Sequence, residues 1–161
     1  MRLTFTLNGT EKTIDAPSGQ LLADLISILD ENPENPESYT AASGCREGKC
    51  GRCLVLIDGE VRHSCLVPGF GLRGREIVTY SGYRETEECG IILKGYESAG
   101  YSPCRLCLPG RVLVTKALLD KFTMPTDDQI CEGFATVSCH CSGYQPFYQA
   151  VKTAARLRRQ M

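Results

Sequence analysis

Alternation at period two opens the chain. Leu3, Phe5 and Leu7 are separated by polar residues, Asn8-Gly9 follows, and Thr10 to Ile14 runs on, so two strands joined by a tight turn are predicted. The pattern then changes. Leu21, Leu22, Leu25, Ile26 and Leu29 recur at i, i+1, i+4, i+5 and i+8, which gathers them on one helical stripe that Ser18 would cap. Pro33 and Pro36, set among turn formers, end that helix and make residues 31–44 a loop. A continuous apolar run from Leu54 to Ile57 precedes Asp58-Gly59 and a second strand over Glu60 to Ser64. Arg75 to Tyr80, with Ile77 and Val78, supplies a last short strand.

From Glu85 onward helical spacing replaces the alternation, with the boundary at Ser81-Gly82-Tyr83. A helix over Thr86 to Ala99 would bury Ile91 and Leu93, and Gly100 stands at its C-terminal stop. Pro109-Gly110 opens a run from Arg111 to Phe122 whose Val112, Val114, Leu118, Leu119 and Phe122 can face a core. Thr126-Asp127-Asp128-Gln129 has the form of a capping box and starts a third helix. A fourth, Pro146 to Arg159, opens with proline in its first turn and closes on Arg156, Arg158 and Arg159, cations suited to a helix C-terminus.

Composition directs attention to cysteine. There are ten in 161 residues, against two histidines and no tryptophan, so thiol chemistry must explain the chain. Its start lacks the charged opening and apolar run of a signal peptide, which leads to the expectation of a cytoplasmic protein. In a reducing compartment many cysteines read as metal ligands rather than disulfides. No apolar stretch reaches the roughly 20 residues that span a bilayer. Eighteen basic and 19 acidic residues nearly cancel, which argues against a nucleic-acid or membrane-surface partner.

Cys45, Cys50 and Cys53 are spaced C-x4-C-x2-C, with Cys65 downstream, the plant-type pattern that holds a 2Fe-2S cluster. Gly48 and Gly51 would let backbone amides turn toward the cluster sulfurs. The hairpin between Cys53 and Cys65 returns the fourth ligand to the first three. Hairpin, helix, cysteine loop, hairpin and strand together resemble a β-grasp, plant-type ferredoxin-like domain over residues 1–80. A second set lies in the helical part, residues 84–161. Cys104 and Cys107 fall between its first and second helices, and Cys139 and Cys141 between its third and fourth. A four-helix bundle would bring both connections to one end. Cys89 and Cys131 have no partner pattern and read as buried small hydrophobes. Structural zinc is the competing reading for all eight, although a C-x2-C coupled to a C-x-C departs from the usual paired zinc knuckles.

The whole order of these cysteines, ending in Gly143-Tyr144, resembles the iron-sulfur subunit of the molybdenum hydroxylases, the xanthine dehydrogenase and aldehyde oxidoreductase family. That resemblance implies an α+β protein in which a β-grasp domain precedes a four-helix-bundle 2Fe-2S domain. It implies a non-catalytic electron-transfer subunit with two 2Fe-2S clusters. Molybdopterin would sit on a large partner subunit and FAD on a medium one. Cys104, Cys107, Cys139 and Cys141 would hold the molybdenum-side cluster, and Cys45, Cys50, Cys53 and Cys65 the flavin-side cluster.

The departures from the family are local. The family usually has Gln-Cys-Gly-Phe-Cys-Thr-Pro-Gly at the third cysteine pair, where this chain reads Pro103-Cys104-Arg105-Leu106-Cys107-Leu108-Pro109-Gly110. Pro103 can supply neither a side-chain amide nor a backbone N–H toward a pterin. At the fourth pair Cys-Arg-Cys-Thr-Gly-Tyr becomes Cys139-His140-Cys141-Ser142-Gly143-Tyr144. Arg105 either replaces the lost charge beside the cluster or faces solvent or a partner. His140 either hydrogen-bonds a cluster sulfur or stands at a surface or interface. Arg46, Lys49 and Arg52 beside the first cluster either raise its potential or form a solvated or docking face. Two other functions remain open at this point: a zinc-stapled protein-interaction adaptor and a ferredoxin acting alone.

Overall fold

The computed structural model describes residues 1–29 and 44–160. Strands β1 (Arg2–Leu7) and β2 (Thr10–Asp15) pair antiparallel around Asn8 and Gly9, whose φ angles of 51° and 78° fit the turn that Asn-Gly favours. Strands β3 (Leu54–Ile57) and β4 (Glu60–His63) repeat the device around Asp58 and Gly59, at 50° and 82°. Strand β5 (Glu76–Val78) joins the two hairpins, parallel to β1 and antiparallel to β3, so the sheet order is β2-β1-β5-β3-β4.

Helix α1 (Leu22–Leu29) covers one face of the sheet, where Leu22, Leu25 and Ile26 meet Leu3, Phe5, Val55 and Ile77. Ser18 does not cap it. Ser18 lies in a turn closed by Gln20 N–H donating to Pro17 O, and Leu21 bridges to Pro68 before the helix begins. The loop expected at 31–44 lies outside the described residues apart from Gly44.

The apolar run of β3 is explained by its two faces. Val55 points to the α1 side, while Leu54 and Leu56 belong to the core of the helices, so neither face of this strand meets water. The residues expected at the boundary form a helical turn, α2 (Tyr80–Tyr83), which Thr79 caps by accepting from Gly82 N–H. Asn8 fastens this turn to the first hairpin, donating to Thr79 Oγ1 at 2.9 Å and accepting from Thr79 N–H at 2.8 Å.

Four longer helices follow: α3 (Glu87–Ser98), α4 (Leu108–Lys121), α5 (Asp127–Ala135) and α6 (Tyr144–Arg158). Helix α3 packs on α4 and α6, and α5 on the same two, which closes a four-helix arrangement. The Thr126 capping box forms as the sequence predicts, and Gly100 ends α3 with φ 67°. The inward face of α3 is one residue out of the expected register. Cys89, Ile92, Gly95 and Tyr96 are buried, whereas Ile91 and Leu93 are half-buried. Gly95 sets the approach of α6, since a Cβ there would lie 2.7 Å from Ala154. Helix α4 touches β3, α3 and α5, so Val112, Val114 and Leu119 are buried as expected while Leu118 and Phe122 are only half-buried. Arg111 and Thr115 are buried there with them.

Candidate functional site

The first cysteine set is built from backbone. Positive φ at Arg46 (58°), Gly48 (71°) and Gly51 (76°) curls the loop so that its amides face inward. The N–H groups of Glu47, Lys49 and Cys50 donate to Cys45 Sγ at 3.4, 3.3 and 3.3 Å. Those of Cys45 and Arg52 donate to Cys50 Sγ at 3.4 and 3.5 Å. Because these donors stabilise a thiolate, the Cys45 thiol is brought down to about 6 even on an exposed loop. Cys53 and Cys65, carried by the two ends of the hairpin, are buried with their sulfurs 3.3 Å apart against Ala23 of α1. Burial pushes the Cys53 thiol up to about 11. Cys45 thus ionises readily, whereas Cys53 holds its proton until a metal displaces it.

The second set is built from helices. Cys107 is the N-cap residue of α4, and Cys139 and Cys141 precede α6. The thiols of Cys104 and Cys107 meet those of Cys141 and Cys139 within hydrogen-bonding reach, closing a ring across two connections. Burial raises the Cys107 thiol to about 12, with the neighbouring Cys139 adding to it. Burial also opposes ionisation at Cys139, but the Ser142 hydroxyl and the amides of Cys141 and Ser142 outweigh it and bring this thiol to about 7. Ser142 Oγ lies 3.6 Å from Cys139 Sγ and donates to Tyr101 Oη at 3.4 Å. Four thiols gathered from two connections are a donor set for a two-iron unit, which takes two thiolates per iron, and also for a four-cysteine zinc site. Soft sulfur donors with amides aimed at them could hold such units in both sets.

The two sets adjoin through a seam of backbone. A Cβ on Gly51 would lie 2.8 Å from Val137 Cα, and one on Gly110 would lie 2.7 Å from Gly51 O. Gly51 stands between Cys50 and Cys53, Gly110 follows Cys107 and Val137 precedes Cys139, so the cysteine loops meet where two glycines leave room for the backbone and side chain of Val137.

Several neighbours differ from the sequence reading. Arg46 forms a two-pronged ion pair with Asp24 of α1, at 2.7 and 3.0 Å, and Lys49 pairs with Glu47 at 2.8 Å, so carboxylates accompany both of these cations near the first set. His63, to which the sequence assigns no role, is half-buried with Nδ1 3.9 Å from Cys53 Sγ, and burial lowers its pKa. The hairpin register, Leu54 opposite His63, is the signal that places it beside Cys53. Arg105 is exposed, which favours its solvent or partner reading, and Pro103 is buried. His140 is exposed and makes no hydrogen bond among the described residues. Cys89 is fully buried as expected, and burial raises its thiol to about 11. Cys131 is exposed, contrary to expectation, because Ile130 is the one buried residue of α5.

Known proteins resemble this chain over most of its length. A family model described as a 2Fe-2S binding domain matches residues 79–152. The chain is 30% identical over 152 residues to the nicotinate dehydrogenase small FeS subunit of Eubacterium barkeri, covering 94% of this chain and 93% of that one. It is 30% identical over 148 residues to the xanthine dehydrogenase iron-sulfur-binding subunit of Escherichia coli, covering 91% and 89%. Among solved structures, quinoline 2-oxidoreductase from Pseudomonas putida 86 matches with a TM-score of 0.79 at 25% identity, over 99% of this chain and 96% of that one. No helix among the described residues is long and apolar enough to cross a membrane.

Proposed function

The chain belongs to the iron-sulfur subunits of the molybdenum hydroxylases, the xanthine dehydrogenase and aldehyde oxidoreductase family, and from that membership we propose that it is a two-cluster electron relay. In this reading Cys45, Cys50, Cys53 and Cys65 hold one 2Fe-2S cluster and Cys104, Cys107, Cys139 and Cys141 hold the other. A 2Fe-2S cluster, when bound, takes up and gives back one electron. The protein supplies everything else. Backbone amides offset negative charge at Cys45 and Cys50, the hairpin fixes Cys53 against Cys65, and the bundle brings the C-x2-C pair to the C-x-C pair. The glycine seam holds the two loops against each other, the arrangement a relay needs.

The observation that carries this reading is the meeting of Cys104 and Cys107 with Cys141 and Cys139, thirty-one residues separating the pairs in sequence. Electrons would enter through this helical site from a large molybdopterin-bearing subunit. They would leave through the first site to FAD on a medium subunit. Residues 1–80 and 84–161 then form a ferredoxin-like and a helical cluster-binding unit. No nucleophile-and-base pair is needed of this chain. Purified without oxygen in its native complex, it is expected to be brown, with about four iron and four acid-labile sulfide per copy. Two distinct signals should appear in electron paramagnetic resonance. A colourless chain holding only zinc would overturn the reading in favour of the adaptor.

A further inference from the structure

Arg111 is fully buried and heads the largest buried side chains of the described residues. It has no carboxylate partner among them. The other buried polar residues there are Ser64, Thr79 and Thr115, all uncharged. Its guanidinium donates to Phe134 O at 2.7 Å and Val137 O at 3.0 Å, lies 4.1 Å from the Phe134 ring centroid and 4.9 Å from that of Phe147, and leaves Nε unpartnered. Removing an ion from water costs several kcal/mol, which two carbonyls and two ring faces offset only in part. A methionine or leucine would fill the same volume without that cost. What the arginine adds is a fixed positive charge in a medium of low polarisability, where charge acts strongly.

Its position says what the charge acts on. The backbone N–H of Arg111 donates to Cys107 O at 3.0 Å, and its side chain grips Val137, two residues before Cys139. One residue therefore ties together the connections that carry the two halves of the helical cysteine set. We propose that Arg111 is the buried counter-charge of the helical-site cluster and raises its reduction potential, an inference that rests on Cys104, Cys107, Cys139 and Cys141 being that cluster's ligands. The sign follows from charge balance. Two ferric ions, two sulfides and four thiolates sum to a negative charge, and reduction adds one more electron. A fixed cation therefore stabilises the reduced form more than the oxidised one, and removing it lowers the potential.

The test is a redox titration of both clusters, followed by electron paramagnetic resonance, in the purified native complex carrying wild-type, Arg111→Met or Arg111→Lys chains. Arg111→Met is expected to disfavour reduction of the helical-site cluster at least tenfold, about 59 mV more negative for one electron, without moving the other cluster. Arg111→Lys, which keeps the charge, should stay closer to wild type. An unmoved helical-site potential in Arg111→Met, an equal shift in both clusters, or an equal shift in the lysine variant would overturn the proposal. If Arg111→Met loses the helical-site cluster, the lysine variant decides. A near-wild-type potential upholds the counter-charge, and loss of the cluster there as well defeats it. Failure of the underlying assignment looks different, because the wild-type chain itself would then show only one 2Fe-2S signal.

Discussion

The two cysteine sets solve one problem by opposite means. At Cys45 and Cys50 the solution is local: a loop of a few residues turns its amides on two sulfurs, and positive φ at Gly48 and Gly51 makes the turn possible. At the helical site the solution is tertiary. Its thiols come from two connections, and what holds them is the packing of α3 to α6 together with the grip of Arg111. The first set has Cys45 on an exposed rim, with carboxylates beside Arg46 and Lys49, while the second has a charge sealed inside. A local site should tolerate damage to the bundle. A tertiary site should fail with it.

Ligand removal makes the largest test of that contrast. Cys53→Ala is expected to take iron from about four to about two per chain, with the helical-site signal retained, and Cys107→Ala should do the reverse. Loss of both signals from either variant would show that the sites are not separable. Gly51→Val comes next, because it combines a φ of 76° with a Cβ 2.8 Å from Val137. Strain and clash together should cost about 3 kcal/mol, or roughly 10 °C in Tm, and thermal denaturation with iron analysis should register harm at both loops. Gly95→Ala sharpens the difference by loading the bundle alone. Its Cβ would meet Ala154 at 2.7 Å, so about 1–3 kcal/mol of overpacking should weaken the helical-site cluster while the first keeps its potential. Asp24→Asn has the smallest expected effect. The pair with Arg46 is partly exposed, so stability should change by at most about 1 kcal/mol in a denaturant melt, with a small positive drift of the first cluster's potential.

How much of this could be read from the sequence follows the same division. Asn8-Gly9, Asp58-Gly59 and the Thr126 box are short-range chemistry, and each forms what its residues predict. The C-x4-C-x2-C loop is equally local. Arg111 is the counterexample, because an arginine in the first turn of a helix ordinarily points to water. Only the presence of β3, α3 and α5 around α4 removes its solvent face, and that is a property of packing. Cys131 fails in the other direction: nothing in its immediate sequence reveals that α5 buries Ile130 and leaves its neighbour outside. Ile91 and Ile92 exchange roles for a like reason, since two adjacent isoleucines differ by a helical rotation that only the partner helix decides.

The seam at Gly51, Gly110 and Val137 has a consequence beyond fit. Contact made largely by main chain has few rotamers to repopulate on warming, so on the proposed relay the gap between the loops would vary little with side-chain motion. A relay built on such a joint would keep the same hopping distance across temperatures, and its throughput would follow the driving force between its two stations.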